Sequence, residues 1–414
     1  MSQADWDRLQ YYSRRVKFFE FIVEDSPRVH PSTYFRIGQL WSTALFPSLR
    51  HLYYYLDEMS IPHIFLHLSP PLVSLELFNI RGFENTVVGP FLDTLSSRMI
   101  RQIVLRNGDM SVDMFKKAIV RFEQLRSLEL VDAIIMCDFG LWDTVGTLPS
   151  LEIFTLVANT PVSHPMHAPE KSNSQGGGPR YFGALESLRV TGPHFLIRHL
   201  LEFIDSPSLK SIEVYPVINR NDLEPEDLFI PSMTIVTSKW SQSLKNLVIY
   251  SGSNDAPKCQ TISTCLILLM DLHKMQTFRL DWRMNKLDDA VGRLVMSWPK
   301  LRTLDLNRTL LSMSTLRIIA ENCPELRHLH IQLDNLVFPP FSSKILHHNL
   351  EILTVERVVN PSRPMLELQI QVARHLDLIF PYLKLIEVHP KDVFWSGIRD
   401  LVHLCQDASL SRVK

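Results

Sequence analysis

Two pairs of histidines have spacings that could do chemistry. His63 and His67, in "IPHIFLHLSP", stand four residues apart, and His328 and His330, in "ELRHLHIQL", stand two apart. On a helix a four-residue step returns to the same face, which is how the H-E-x-x-H motif brings two imidazoles to one zinc ion. That motif also needs a glutamate beside the first histidine, and Ile64 stands there. On a strand a two-residue step returns to the same face. His328 and His330 then share a face with Asp305 and Asn307 on one side and Thr354 and Glu356 on the other. This is the best metal-like or acid–base grouping in the chain, and the same residues also make an ordinary polar sheet face. No G-x-S-x-G, G-x-G-x-x-G, P-loop or H-E-x-x-H occurs, and Gly176-Gly177-Gly178 has neither the Lys-Ser/Thr nor the feeding strand of a phosphate cradle. The sequence therefore assigns no catalytic residue, no metal ligand and no cofactor, and predicts a protein that is not an enzyme.

The elements that position these residues follow from a repeat. "ENCPELRHLHIQL" places Leu326, Leu329 and Ile331 three and then two residues apart, a bend followed by strand alternation. Written L-x-x-L-x-L, the hexad starts at residues 16, 49, 72, 100, 125, 151, 185, 209, 244, 275, 301, 326, 350 and 383, with an apolar or amphipathic residue in every marked place; Tyr54 is the most polar. The mean interval, about 28 residues, falls in the range of leucine-rich repeats. Segments such as 111–124, 288–300, 314–325 and 367–382 carry apolar residues at helical spacing behind Ser or Asp caps. Pro47, Pro70, Pro149, Pro207, Pro299, Pro324 and Pro381 each stand two places before a hexad, where proline ends a helix and favours an extended start.

A strand–helix unit of this length cannot bury its apolar face alone and must stack on its neighbours. The predicted fold is α/β: a right-handed leucine-rich-repeat solenoid, or horseshoe, of about 14 repeats, with a parallel sheet on the concave face and helices on the convex face. One solenoid domain is expected over 1–414. Residues 1–15 form an N-terminal capping helix with Trp6, Leu9 and Tyr12 inward, 16–391 the repeats, and 392–414 a C-terminal capping helix and tail with Phe394, Ile398, Leu401 and Leu404 inward. Residues 159–183 and 215–242 read as surface-loop insertions.

Composition sets outer limits. The chain has 414 residues, 45% hydrophobic and 21% charged, with a formal net charge of -1, so a globular protein is expected and no nucleic-acid or anionic-membrane partner is suggested. Five scattered cysteines without a C-x-x-C fit a reducing compartment. No apolar run approaches the roughly 20 residues of a bilayer span, and "MSQADWDRLQ" lacks a signal-peptide core, so a cytoplasmic or nuclear protein is expected.

With no chemistry assigned, the concave wall is the expected binding surface. The third, fifth and seventh places of each hexad face outward there, and the candidate protein-binding residues are Tyr53, Tyr55, Arg106, Arg189, Tyr215, Tyr250, Arg279, Asp281, Asp305, Asn307, His328, His330 and Glu356. Tyr and Arg are enriched in binding hot spots, and the mixed charge signs suit a protein or peptide rather than a phosphate polymer.

"IIAENCPELRHLHI" (318–331) resembles the cysteine-containing leucine-rich repeat, with Cys323, Pro324, Leu326, Leu329 and Ile331 in the places of C-P-x-L-x-x-L-x-L. "SWPKLRTLDL" and "FPYLKLIEVHP" are looser versions with Trp298 and Phe380 in the cysteine place. From "DWDRLQYYSRRVKFFEF" onward, the chain resembles the repeat half of fungal F-box proteins; Trp6, Arg8, Tyr12, Arg14, Arg15 and Val16 match the W-x-R-x-x-x-Y-x-R-R-V phrase that opens the solenoid there. That resemblance implies the substrate-receptor part of an SCF-type ubiquitin ligase. The F-box, which would precede residue 5, is not in the sequence, so the resemblance implies Skp adaptor and cullin as partners only where an F-box lies upstream. The alternative is a repeat scaffold or regulatory protein unconnected to ubiquitin ligases.

Overall fold

A computed structural model describes residues 3–22, 39, 44–56, 64, 69–80, 87–95, 99–108, 112–132, 139–158, 181–217, 225–250, 259–282, 287–333, 346, 348–358, 365–388 and 392–412. His63, His67, the glycine triplet and most of the 159–183 insertion lie outside these residues, and so do Ser2, Ser111 and Cys137.

Each hexad becomes a strand, and each strand begins at the hexad's third place. In order they are β1 Phe18–Phe21, β2 His51–Tyr55, β3 Ser74–Phe78, β4 Gln102–Arg106, β5 Ser127–Val131, β6 Ile153–Val157, β7 Ser187–Gly192, β8 Ser211–Pro216, β9 Asn246–Tyr250, β10 Thr277–Asp281, β11 Thr303–Leu311, β12 His328–Leu333, β13 Ile352–Val358 and β14 Leu385–Val388. Strand order follows chain order. Pairing is parallel and matches like place to like place, as in Thr277↔Thr303, Thr303↔His328 and His328↔Ile352. The fold is a leucine-rich-repeat solenoid of about 14 repeats.

The residues group into two compact units, Met1–Pro193 with Glu202–Leu209, and His194–Leu201 with Lys210–Lys414. The first holds β1–β7 with α1 Gln3–Ser13, α2 Gly89–Leu95, α3 Val112–Ile119 and α4 Phe139–Gly146. The second holds β8–β14 with α6 Pro225–Trp240, α7 Cys259–Leu269, α8 Asp288–Met296, α9 Met313–Asn322, α10 Met365–Ile379 and α11 Val393–Arg412. Helix α5, His194–Phe203, contributes residues to both.

In each unit the marked hexad places are the core, except in the terminal copies, where Val16, Phe19, Phe21 and Val388 are only half-buried. Leu125, Leu128 and Leu130 are fully buried in the first, as are Leu301, Leu304, Leu326, Leu329 and Ile331 in the second. Tyr54 is buried as well, stacked on Phe21 at 4.9 Å, so its ring outweighs its hydroxyl. Leu304→Ala is expected to cost about 2–5 kcal/mol, since a close-packed layer relaxes little around the missing atoms; chemical denaturation of the variant checks this, and a midpoint equal to wild type would remove Leu304 from the core.

The prolines act through a specific turn. The N–H of the first hexad residue donates to the carbonyl three residues back: Leu49 to Phe46, Leu72 to Ser69, Leu301 to Trp298, Leu326 to Cys323 and Leu383 to Phe380, all between 3.0 and 3.2 Å. Pro47, Pro70, Pro299, Pro324 and Pro381 occupy the second turn position, where a fixed φ near −65° is already right. The residue that opens the turn points inward, so the cysteine place is a packing slot: Phe122, Phe182, Leu272, Trp298, Cys323 and Phe380 all fill it, buried. The copy at 350 has no such proline. There His348, buried, accepts the Leu350 N–H on Nδ1 at 3.0 Å, while its Nε2 meets the Cys323 carbonyl at 2.7 Å. Nε2 therefore carries the proton, and one imidazole closes the turn and ties two repeats together.

Strand exits share a device too. Asn79, Asn107 and Asp132 each follow a strand with φ near +50°. Asn and Asp tolerate this left-handed region better than other residues with a side chain.

Four readings need correction. Residues 225–240 of the second insertion are helix α6, not loop; Phe229, Met233, Val236 and Trp240 recur at helical spacing and are buried. Tyr12 and Leu404 are exposed, although Phe394 and Ile398 are buried as expected; Trp395 and Val402 complete the inward face of α11. Ser312, not Ser314, caps α9, accepting from the Thr315 N–H. Asp288 does not cap its own helix: its carboxylate accepts from the Ser312 N–H at 2.8 Å and hydroxyl at 2.7 Å, joining α8 to the start of α9.

Candidate functional site

Alternation leaves the third, fifth and seventh hexad places on the open face of the sheet, opposite the buried marked places. In-register pairing then aligns those side chains from strand to strand. In the first unit four of them make a continuous ladder. The rings of Tyr53 on β2 and Phe78 on β3 lie 4.3 Å apart, the Arg106 guanidinium on β4 sits 5.1 Å from the Phe78 centroid, and Arg106 pairs with Glu129 on β5 at 2.8 Å. Burial pushes the Tyr53 phenol up, and the charges of Glu20 and Glu76 push it further, while Arg106 opposes them. Tyr53 stays a neutral hydroxyl, able to donate.

The second unit repeats the order on β8–β11. Tyr215 and Tyr250 stack at 4.5 Å with 11° between their planes. Arg279 donates to the Tyr250 hydroxyl at 2.8 Å and pairs with Asp305 at 2.5 Å. Burial works against the Arg279 cation, but the Tyr250 bond and the Asp305 charge more than offset it, and its pKa is raised. His330 on β12 adds a fifth rung, with Nδ1 3.1 Å from the other Asp305 oxygen. Asp305 is itself only 6% exposed, so this carboxylate is committed to its neighbours.

The remaining expected residues fall around these ladders. Tyr55 is exposed beside Tyr53, and Arg189 and His328 are exposed on β7 and β12. Asp281 pairs with Arg308 at 3.0 Å. Arg308 lies between Asn307 and Thr309 in a bulge that the sequence did not reveal: the β11–β12 register jumps from Leu306↔Ile331 to Leu310↔Gln332. Such an insertion re-aims side chains that strict alternation would fix. Glu356 lies on β13, its side chain outside the described set.

Nothing in this arrangement is a reaction centre that the geometry defines. Among the described residues no three His, Cys, Asp or Glu side chains gather to hold a metal ion. Burial pushes the Cys265 and Cys323 thiols up to about 12, far from the thiolate a nucleophile needs. Cys323 instead lies within S–H···O reach of the Val295 and Trp298 carbonyls, at 3.6 and 3.7 Å.

No protein-family model matches the chain, and no curated protein does. Among solved structures it is similar to an internalin from Listeria monocytogenes, at 16% identity over 81% of this chain and 92% of that one, with a TM-score of 0.41. It is also similar to TLR13 in a TLR13–ssRNA13 complex, at 15% identity over 76% and 43% with a TM-score of 0.37. A Bacteroides fragilis protein aligns at 12% identity over 73% and 70%, with a TM-score of 0.34. Likeness at this level bears on neither partner nor activity. Among the described residues, no helix is long and apolar enough to cross a membrane.

Proposed function

We propose that this protein is a non-catalytic protein-interaction module that grips a protein or peptide on the open face of its sheet. The observation that carries this reading is the ladder of two aromatics, an arginine and a carboxylate, built once in each unit. Stacking and ion pairing hold these side chains in place before a partner arrives, so little rotamer freedom is lost on binding. Aromatic rings and guanidinium groups are also the side chains that most often dominate binding energy.

The resemblance of the chain, from its opening segment onward, to the repeat half of fungal F-box proteins supports a finer role, the substrate-recognition part of an SCF-type ubiquitin ligase. Affinity capture from native cells tests both levels. A captured protein whose binding weakens by about 2 kcal/mol or more on Tyr250→Ala or Tyr53→Ala, roughly 30-fold, is the expected result. Unchanged affinity in both variants would move the interface off the sheet face. Skp and cullin peptides in the capture support the ligase role; a captured partner without them leaves a repeat scaffold.

A further inference from the structure

The second place of each hexad stands just before the strand, outside the alternation that makes the core and the open face. Its carbonyl accepts two N–H groups from the next copy: Lys17 from Arg50 and His51, Arg50 from Val73 and Ser74, Val73 from Arg101 and Gln102, and Arg101 from Arg126 and Ser127. The pairing stacks this place from copy to copy at a spacing of about 4.8 Å. In the first unit the stack reads Lys17, Arg50, Val73, Arg101, Arg126, Glu152 and Glu186, so that four cations, all exposed, precede two carboxylates. Arg126 reaches Glu152, the same place one copy on, at 3.3 Å, so neighbouring side chains in this row touch. Lys17, Arg50 and Arg101 make no side-chain ion pair or hydrogen bond within the described residues. The second unit begins in the same order with Lys210, Lys245, Gln276, Arg302, Arg327 and then Glu351. A chain of net charge -1 thus concentrates positive charge along one line. Like charges so placed repel, and this place contributes nothing to the core, so folding gives no reason for Lys17, Arg50 and Arg101.

We propose that the row of Lys17, Arg50, Arg101 and Arg126 docks an acidic segment of a partner protein, an extended run of Asp and Glu. Four strand steps make the row about 19 Å long, the reach of about six extended residues. The arginine fork matches a carboxylate with two parallel hydrogen bonds. A single-stranded nucleic acid would also need aromatic faces between the cations. The adjoining third place offers Phe18 alone, followed by His51, Ser74, Gln102 and Ser127. The row lies apart from the aromatic ladders, and this docking does not depend on what they bind.

The test is a fluorescence-anisotropy titration of the full chain with labelled decaglutamate, beside the Lys17→Gln/Arg50→Gln/Arg101→Gln variant. Wild type is expected to bind, more weakly at about 0.2 M salt than at low salt, as screening demands. The triple variant is expected to lose about tenfold or more in affinity, with an unchanged thermal melt because the three side chains are exposed. No binding by wild type, or equal affinity in the variant, overturns the proposal. So does tighter binding of labelled oligo-dT or of phosphatidylserine vesicles that the triple variant abolishes, since the row would then serve a phosphate-bearing partner.

Discussion

Trp298→Ala is expected to destabilise the protein by about 3–5 kcal/mol, as truncation of a fully buried aromatic does. The indole has no solvent exposure, packs edge-on against Phe278 at 5.0 Å, and opens the turn that leads into β11. Its removal empties the packing slot of one repeat beneath the strand that carries Asp305. Trp298→Phe separates shape from polarity. The indole N–H is buried with no acceptor among the described residues, so phenylalanine discards an uncompensated donor and keeps most of the ring. Phe also fills the equivalent slot at 122, 182 and 380. That variant is expected to cost under about 1.5 kcal/mol. Denaturant unfolding of both checks the pair. Equal losses would mean that the indole nitrogen, and not the ring volume, matters at this slot.

His348→Leu carries the second large effect. Leucine fills the space but leaves the Leu350 N–H without its acceptor, and the Cys323 carbonyl keeps only its bond from the Leu326 N–H. The orphaned N–H costs about 1–3 kcal/mol and the lost bond at the carbonyl about 1 kcal/mol more, so a loss of about 2–4 kcal/mol is expected. The same imidazole makes stability depend on pH. Burial lowers the pKa of His348, against the opposing pull of the Cys323 carbonyl, and burial lowers that of His375. A histidine depressed in the folded state binds its proton more readily once unfolded. Its contribution is therefore intact above the unfolded value, about 6.5, and declines as pH falls below it. Protonation of Nδ1 would also expel the Leu350 N–H. Denaturation midpoints from pH 8 to 5 are expected to fall below about pH 6.5 in wild type, and less steeply in His348→Leu. A wild-type midpoint flat across that window would refute the buried neutral imidazole.

The open face was partly legible. Strand alternation alone puts Tyr53, Arg106, Tyr215, Tyr250, Arg279 and Asp305 on it, because a period of two leaves no choice of side. That these residues join into two ladders was not legible, since ring stacking and ion pairing depend on rotamers and on which strand lies beside which. Nor was the bulge at Asn307–Thr309, which breaks the alternation in a segment that reads as regular. The second-place row had a signal in the sequence, Lys or Arg recurring before the hexad's strand. It stayed hidden because the summed charge is close to zero, and only register turns recurrence into proximity.

By itself the sequence determined the strands: 14 hexads, 14 strands, each beginning at the third place. The cause is local and repeated, an apolar pattern that only neighbouring copies can bury. Tertiary structure decided whatever depends on a partner distant in the chain. Helix α6 forms where polar residues mask an apolar stripe that becomes visible once it is buried. Asp288 leaves its own helix for Ser312, 24 residues away, and His348 stands where seven other copies have proline, holding the Leu350 N–H and the Cys323 carbonyl together. Side chains answer to the groups that stacking brings near them, and a linear pattern does not contain those distances.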